Sequence, residues 1–136
     1  MMAHDDLLAR MAATFRRDVG PQVTDPFAKT QAFMAAVVLE KLSAQLATAA
    51  ADAEADAADL AALVSDLATG CAGAPTDLGA ALADLSALPN QVKLSRFVEA
   101  LYGSQNELGA ERFEQLRTRV RQTLRARLDR QMRYAA

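Results

Sequence analysis

The chain has 136 residues, 15 basic and 17 acidic side chains, one histidine, one cysteine and no tryptophan. That length suits a single domain, residues 1–136, able to bury a core without disulfide or metal. One cysteine, Cys71, excludes an internal disulfide framework, and the alanine- and leucine-rich composition favours helix over sheet.

The first helix is predicted from Asp5 to Val19. Leu7, Leu8, Met11 and Phe15 form one apolar stripe, Asp5 and Asp6 suit its positive N-terminal end, and Gly20-Pro21 ends it. The opening "MMAHDDLLARM" carries acids where a signal peptide carries bases, so no secretion signal is read. The longest all-apolar run, Ala32 to Leu39, is far short of the roughly 20 residues that span a bilayer. A soluble, cytoplasmic protein is expected.

A second helix starts at Asp25-Pro26, a cap followed by proline at the first helical position, and runs to about Thr48. Its segment from Ala32 to Leu39 has no polar side chain. Phe33, Met34, Val37, Val38, Leu39, Leu42 and Leu46 together cover more than half its circumference. A helix apolar on all sides is surrounded. Either it is the centre of the bundle, ringed by the other helices, or another chain completes one side, with Lys29, Thr30, Gln31 and Glu40-Lys41 as the rim.

A third helix covers about Asp52 to Thr69, with Leu60, Leu63, Val64 and Leu67 inward and Asp52, Asp56, Asp59 and Asp66 as an acidic stripe beside them. The alanine-rich segment 49–58 reads either as continuous helix or as a loose connection. After the loop "GCAGAPTD", Thr76 or Asp77 caps a helix containing Leu78, Leu82, Leu85 and Leu88. Asn90 caps another, with Val92, Leu94, Phe97, Val98 and Leu101 inward and Gly103 at its end. Ser104 to Glu107 has capping-box spacing. The last helix, to about Tyr134, carries Phe113, Leu116, Val120, Leu124, Leu128 and Met132 as one stripe. The fold class is all-α, a compact bundle of five or six helices.

Reactive constellations are missing from the sequence. His4 alone cannot make a Ser-His-Asp or Cys-His site, and Cys71 has no CxxC partner. One Cys and one His make no structural zinc site, and there is no phosphate-cradling glycine motif. No catalytic residue, metal or cofactor is assigned, and the chain reads as a non-enzyme.

Charge is unevenly spread. Residues 1–92 hold 5 basic and 12 acidic side chains, a balance of −7; residues 93–136 hold 10 and 5, a balance of +5. The last helix has eight arginines and no lysine, the choice for flat, bidentate contacts with carboxylate or phosphate. On a wheel, Arg117 and Arg127 lie within about 60° of its apolar stripe. They either pair with the Asp stripe, the rest being solvated, or the face docks an acidic protein or anionic ligand. Nucleic acid is disfavoured by the acidic balance and the lack of interleaved aromatics, and a membrane surface by the alternating charges.

"LLARMAATFRRDVGPQV" followed by "TQAFMAAVVLEKLSAQL", with "FEQLRTRVRQTLRARLDRQ" at the end, resembles a family of small helical proteins. Its members are encoded beside aminoglycoside-phosphotransferase-like kinases and acyl-CoA dehydrogenases in bacterial catabolic clusters. One member type is the companion subunit of a kinase that phosphorylates 4-hydroxyacyl-CoA. The resemblance covers the first 46 residues and the last helix. Where the family has an Arg-Val-Ala-Ala-Asn-like segment, this chain has Gln31-Ala-Phe-Met-Ala-Ala. The resemblance implies a non-catalytic companion subunit that stabilises or activates such a kinase. The candidate contact residues are Phe33 and Met34 with Lys29 and Gln31 at their rim, and Arg117, Arg121 and Arg125. The alternative is a self-associating homodimer, completed through the second helix, with a structural or small-ligand role.

Overall fold

The computed structural model describes residues 1–133, and the expected end of the last helix near Tyr134 lies outside them. The described residues contain no strand and six α-helices: α1 (His4–Thr14), α2 (Pro26–Gly70), α3 (Thr76–Ala87), α4 (Gln91–Gly103), α5 (Gln105–Leu108) and α6 (Ala110–Met132). The protein is all-α, as its composition predicts. Its residues group into two compact units, Met1–Asp52 with Arg133, and Ala53–Met132.

The second and third predicted helices are one helix. Between Thr48 and Asp52 there is no glycine or proline to interrupt α2, and alanine has the highest helix propensity of any residue. The start is as expected: the Asp25 carboxylate accepts from the Ala28 amide at 2.8 Å, with Pro26 as first helical residue. Continuity also makes α2 long and apolar enough, by length and composition, to cross a membrane. Its most apolar window has a mean hydropathy of 1.3, and 11 % of that window is buried.

The first unit is an antiparallel helix pair. From Thr14 the chain leaves α-geometry for a π-turn (Phe15–Val19) and a 3-10 turn (Gly20–Gln22) before α2 begins. Ser43 Oγ donates to the Asp5 carbonyl at 2.7 Å, and the Arg16 guanidinium grips both Glu40 oxygens at 3.1 and 3.0 Å. The residues it buries are Ala12, Gly20, Ala32 and Ala36. The Phe33 ring lies against Gly20, where an added Cβ would stand 2.8 Å from its Cζ. Glycine is required there by that ring and by the Phe15 carbonyl.

The second unit has a conventional core. Leu60, Leu63 and Leu67 from α2 meet Leu78 and Leu85 from α3, Leu94, Phe97 and Leu101 from α4, and Phe113, Leu116 and Val120 from α6. Cys71 belongs to the same cluster. Asn90 caps α4 by accepting from the Lys93 amide at 2.9 Å, as its position predicts. The other two expected caps differ. Helix α3 starts after Pro75 with no side-chain cap, and Ser104 precedes only the four-residue α5 without a capping bond. Gly109, at φ 85°, takes the left-handed conformation that turns the chain into α6.

Candidate interaction surfaces

Four of the arginines of the last helix meet the aspartate stripe within this chain. In the second unit Arg119 Nε is 2.7 Å from Asp66 Oδ2, and Arg130 reaches both Asp56 and Asp59 at 2.6 Å. Arg127 lies at 3.8 Å from Asp56. In the first unit Arg133 pairs with Asp52 at 2.6 Å. Hydrogen bonds that Arg130 donates to Asp59 and then Asp56 push its pKa further up, so it stays charged at any physiological pH. The charge asymmetry of the sequence is thus partly neutralised internally.

Arg117, which one of the two readings placed against that stripe and the other at a partner contact, does not reach the stripe. Its guanidinium donates to Glu114 at 2.7 Å, and the neighbouring Tyr102 hydroxyl is the largest cause that raises its pKa. It also lies over the Phe113 ring, 5.8 Å from the centroid, and that ring meets Tyr102 edge-on at 5.2 Å. Its Nε, like that of Arg127, is buried without a hydrogen-bond partner. Arg117 therefore closes the α4–α6 contact; Phe113 is one turn before it on α6, and the wheel failed to show the rest because Tyr102 belongs to another helix, α4. Arg112 also serves the fold. Its Nε donates to the Gly70 carbonyl at 2.9 Å and its terminal nitrogen to that of Ala72, satisfying acceptors left over where α2 ends.

Arg121 and Arg125 are exposed, the latter beside Asp129 at 3.2 Å. Between them the expected inward stripe of α6 fails. Leu124, Leu128 and Met132 are exposed, while the buried row runs Phe113, Leu116, Val120, Thr123. The row turns because Thr123 goes inward and accepts from Arg119 Nη1 at 2.7 Å. What remains outside is a leucine surface flanked by guanidinium groups. An open hollow of about 690 Å³ there is lined by Arg121, Leu124, Arg125, Leu128 and Asp129, among others.

A second apolar surface lies on the first unit. Of the two readings of α2, the one in which the chain's own helices ring it on all sides does not hold there: Ala32 and Ala36 are buried, but Met34, Val38, Leu42 and Leu46 are 43–55 % exposed. Leu7 and Met11 of α1 are similarly open. Of the four residues expected at this contact, Met34 lies in the open stripe and Lys29 and Gln31 are exposed. Phe33 is half-buried and held against Gly20. The stripe through Val38, Leu42 and Leu46 was legible only as excess apolarity, because the spacing of an apolar residue does not say whether its neighbour belongs to the same chain.

Cys71 is buried, and burial pushes its thiol up against a smaller opposite pull from Arg112. Among the described residues, no group of three or more His, Cys, Asp or Glu side chains could hold a metal ion. Compared with known proteins, the chain matches no family model, no curated protein and no solved structure.

Proposed function

We propose that this chain is a non-catalytic, cytoplasmic companion subunit that binds a phosphotransferase-like kinase acting on a small-molecule or acyl-CoA alcohol. The observation that carries a protein-binding role is the leucine and arginine face of α6. Leu124 and Leu128 stand exposed beside Arg121 and Arg125, where two leucines of an ordinary surface helix would have turned inward. Exposed apolar surface rimmed by polar groups marks protein contacts, and arginine is enriched at their centres. The guanidinium groups favour a partner whose surface presents carboxylates around an apolar patch. The kinase class comes from the family resemblance of the first 46 residues and the last helix, and that resemblance favours no catalytic role for this chain.

Affinity capture from the native host, with bound proteins identified by mass spectrometry, tests the reading. A phosphotransferase-like kinase in stoichiometric amount is the expected result. The double variant Arg121→Glu/Arg125→Glu should release it, because charge reversal at a rim both slows association and repels carboxylates. Capture of no such kinase, or a complex indifferent to the double reversal, would sink the proposal.

A further inference from the structure

We infer that a second copy of this chain covers the open face of the first unit, so that two helix pairs close into a four-helix arrangement around a twofold axis. This inference uses a different surface from the kinase proposal and stands without it.

The first unit is half of a bundle. Its buried residues are alanines and a glycine, while its large side chains lie on the side away from the Arg16–Glu40 pair. At 100° per residue, Gln31, Val38, Leu42 and Leu46 fall within about 80° of one another on α2, with Phe27 and Met34 along one edge. Leu7 and Met11, one turn apart on α1, lie on the same side of the pair. Units this small that cannot bury their own apolar groups usually gain the missing contact by association.

Charge selects the occupant. A twofold interface brings the same patch together from both molecules, so any net charge in it meets itself. The row Phe27, Gln31, Met34, Val38, Leu42, Leu46 contains no ionisable side chain. Glu40 is turned to Arg16 on the opposite flank, and Lys41 sits about 100° from Leu42, at the rim. This face can pair with itself. The α6 face, with Arg121 and Arg125 at its edges, would set guanidinium groups of two copies against each other, which is why a second copy fits the first unit and an unlike partner fits α6.

Area agrees. Leu7, Met11, Met34, Val38, Leu42 and Leu46, each about half exposed, leave on the order of 500 Å² of apolar surface, at the upper end for a lone soluble protein and near the ~800 Å² per partner of a standard interface once a polar rim is added.

Sedimentation equilibrium of the full chain over a range of concentrations tests the inference. The expected mass is twice the 14.5 kDa of one chain. Val38→Lys and Leu42→Lys, placed at positions already 52 % and 43 % exposed, should each weaken the dimer at least tenfold with helicity by circular dichroism unchanged. If the lysine variants lose helicity, Val38→Asn decides, since it removes apolar surface without adding charge and should still weaken the dimer several-fold. Arg121→Glu/Arg125→Glu should leave the mass unchanged. A monomer at every concentration overturns the inference, as does a dimer indifferent to these face variants. A monomer that floats with phosphatidylcholine vesicles overturns it too, because a membrane would then be the cover.

Discussion

The two units are built from similar material and bury it differently. Both are rich in alanine and leucine, yet the second encloses Phe97, Leu63, Leu67, Leu78, Leu85, Leu94 and Leu101 almost completely, while the first fully encloses no large side chain. The difference lies in which residues fall on the helix contact. Helix α1 and the first part of α2 close over Ala12, Ala32, Ala36 and Gly20. Small residues let two backbones approach but withdraw little apolar area from water, at about 25 cal/mol per Å². In the second unit, leucines and two phenylalanines meet from four helices, α2, α3, α4 and α6. One unit can stabilise itself; the other displays its large apolar residues outward. A surface and a weak core are here two views of one sequence choice.

Core truncation should separate the units most sharply. Phe97→Ala is expected to cost about 3–5 kcal/mol in denaturant unfolding, through lost burial and the cavity left behind. Met34→Ala, at a residue 55 % exposed, should change the stability of the isolated chain by less than about 1 kcal/mol. Equal losses would show that Met34 is covered even in the single chain.

Hydrogen exchange sharpens the same contrast without mutation. Amides in the middle of α4 should exchange only through global unfolding, and those of α1 should exchange through local opening at markedly lower free energy. Dilution should speed exchange in α1 if a second copy covers it, and leave α4 unaffected as long as the monomer stays folded.

Gly20→Ala should strike the first unit selectively. The new Cβ meets the Phe33 ring at 2.8 Å and the Phe15 carbonyl at 3.0 Å, so about 1–3 kcal/mol of overpacking is expected, with the exchange of α1 accelerated. Gly70→Ala, also at 2.8 Å but only from the flexible Leu116 Cδ2, should cost less because that side chain can move.

The caps give a smaller, matched pair. Asn90→Ala removes the acceptor for the Lys93 amide and should cost about 1 kcal/mol of global stability. Asp25→Ala removes the acceptor for the Ala28 amide, with a loss of about the same size. That loss should appear in the local stability of the first unit. A uniform global loss from both would mean that the two units unfold as one.

The smallest effect concerns Cys71. Its folded pKa is raised, so the folded state holds the thiol proton at pH values where the unfolded chain has lost it. Stability is therefore full below the unfolded pKa and falls as pH rises through the folded one. A modest decline in unfolding free energy above about pH 9 is expected in the wild type and should vanish in Cys71→Ala, and alkylation of the native thiol at neutral pH should be slow.

Much of this was determined by the sequence alone. Alanine and leucine with few breakers dictate helices, Asp25-Pro26 and Asn90 start two of them, and the inward rows Leu60–Leu63–Leu67 and Leu94–Phe97–Leu101 follow from their spacing because one repeat fits one buried face. The aspartate stripe and the arginine-rich end could be read as complementary, and one reading paired Arg117 and Arg127 with it; of those two only Arg127 comes near the stripe. Tertiary structure decided what periodicity leaves open. It fused two predicted helices across an alanine run that carries no stop signal, and turned Thr123 inward so that Leu124 and Leu128 came out. It gave Arg117 to Glu114 and the Phe113 ring while Arg130 took Asp56 and Asp59. The physical reason is the same in each case: local spacing fixes which residues share a face of a helix, whereas only the neighbouring helices fix whether that face is covered.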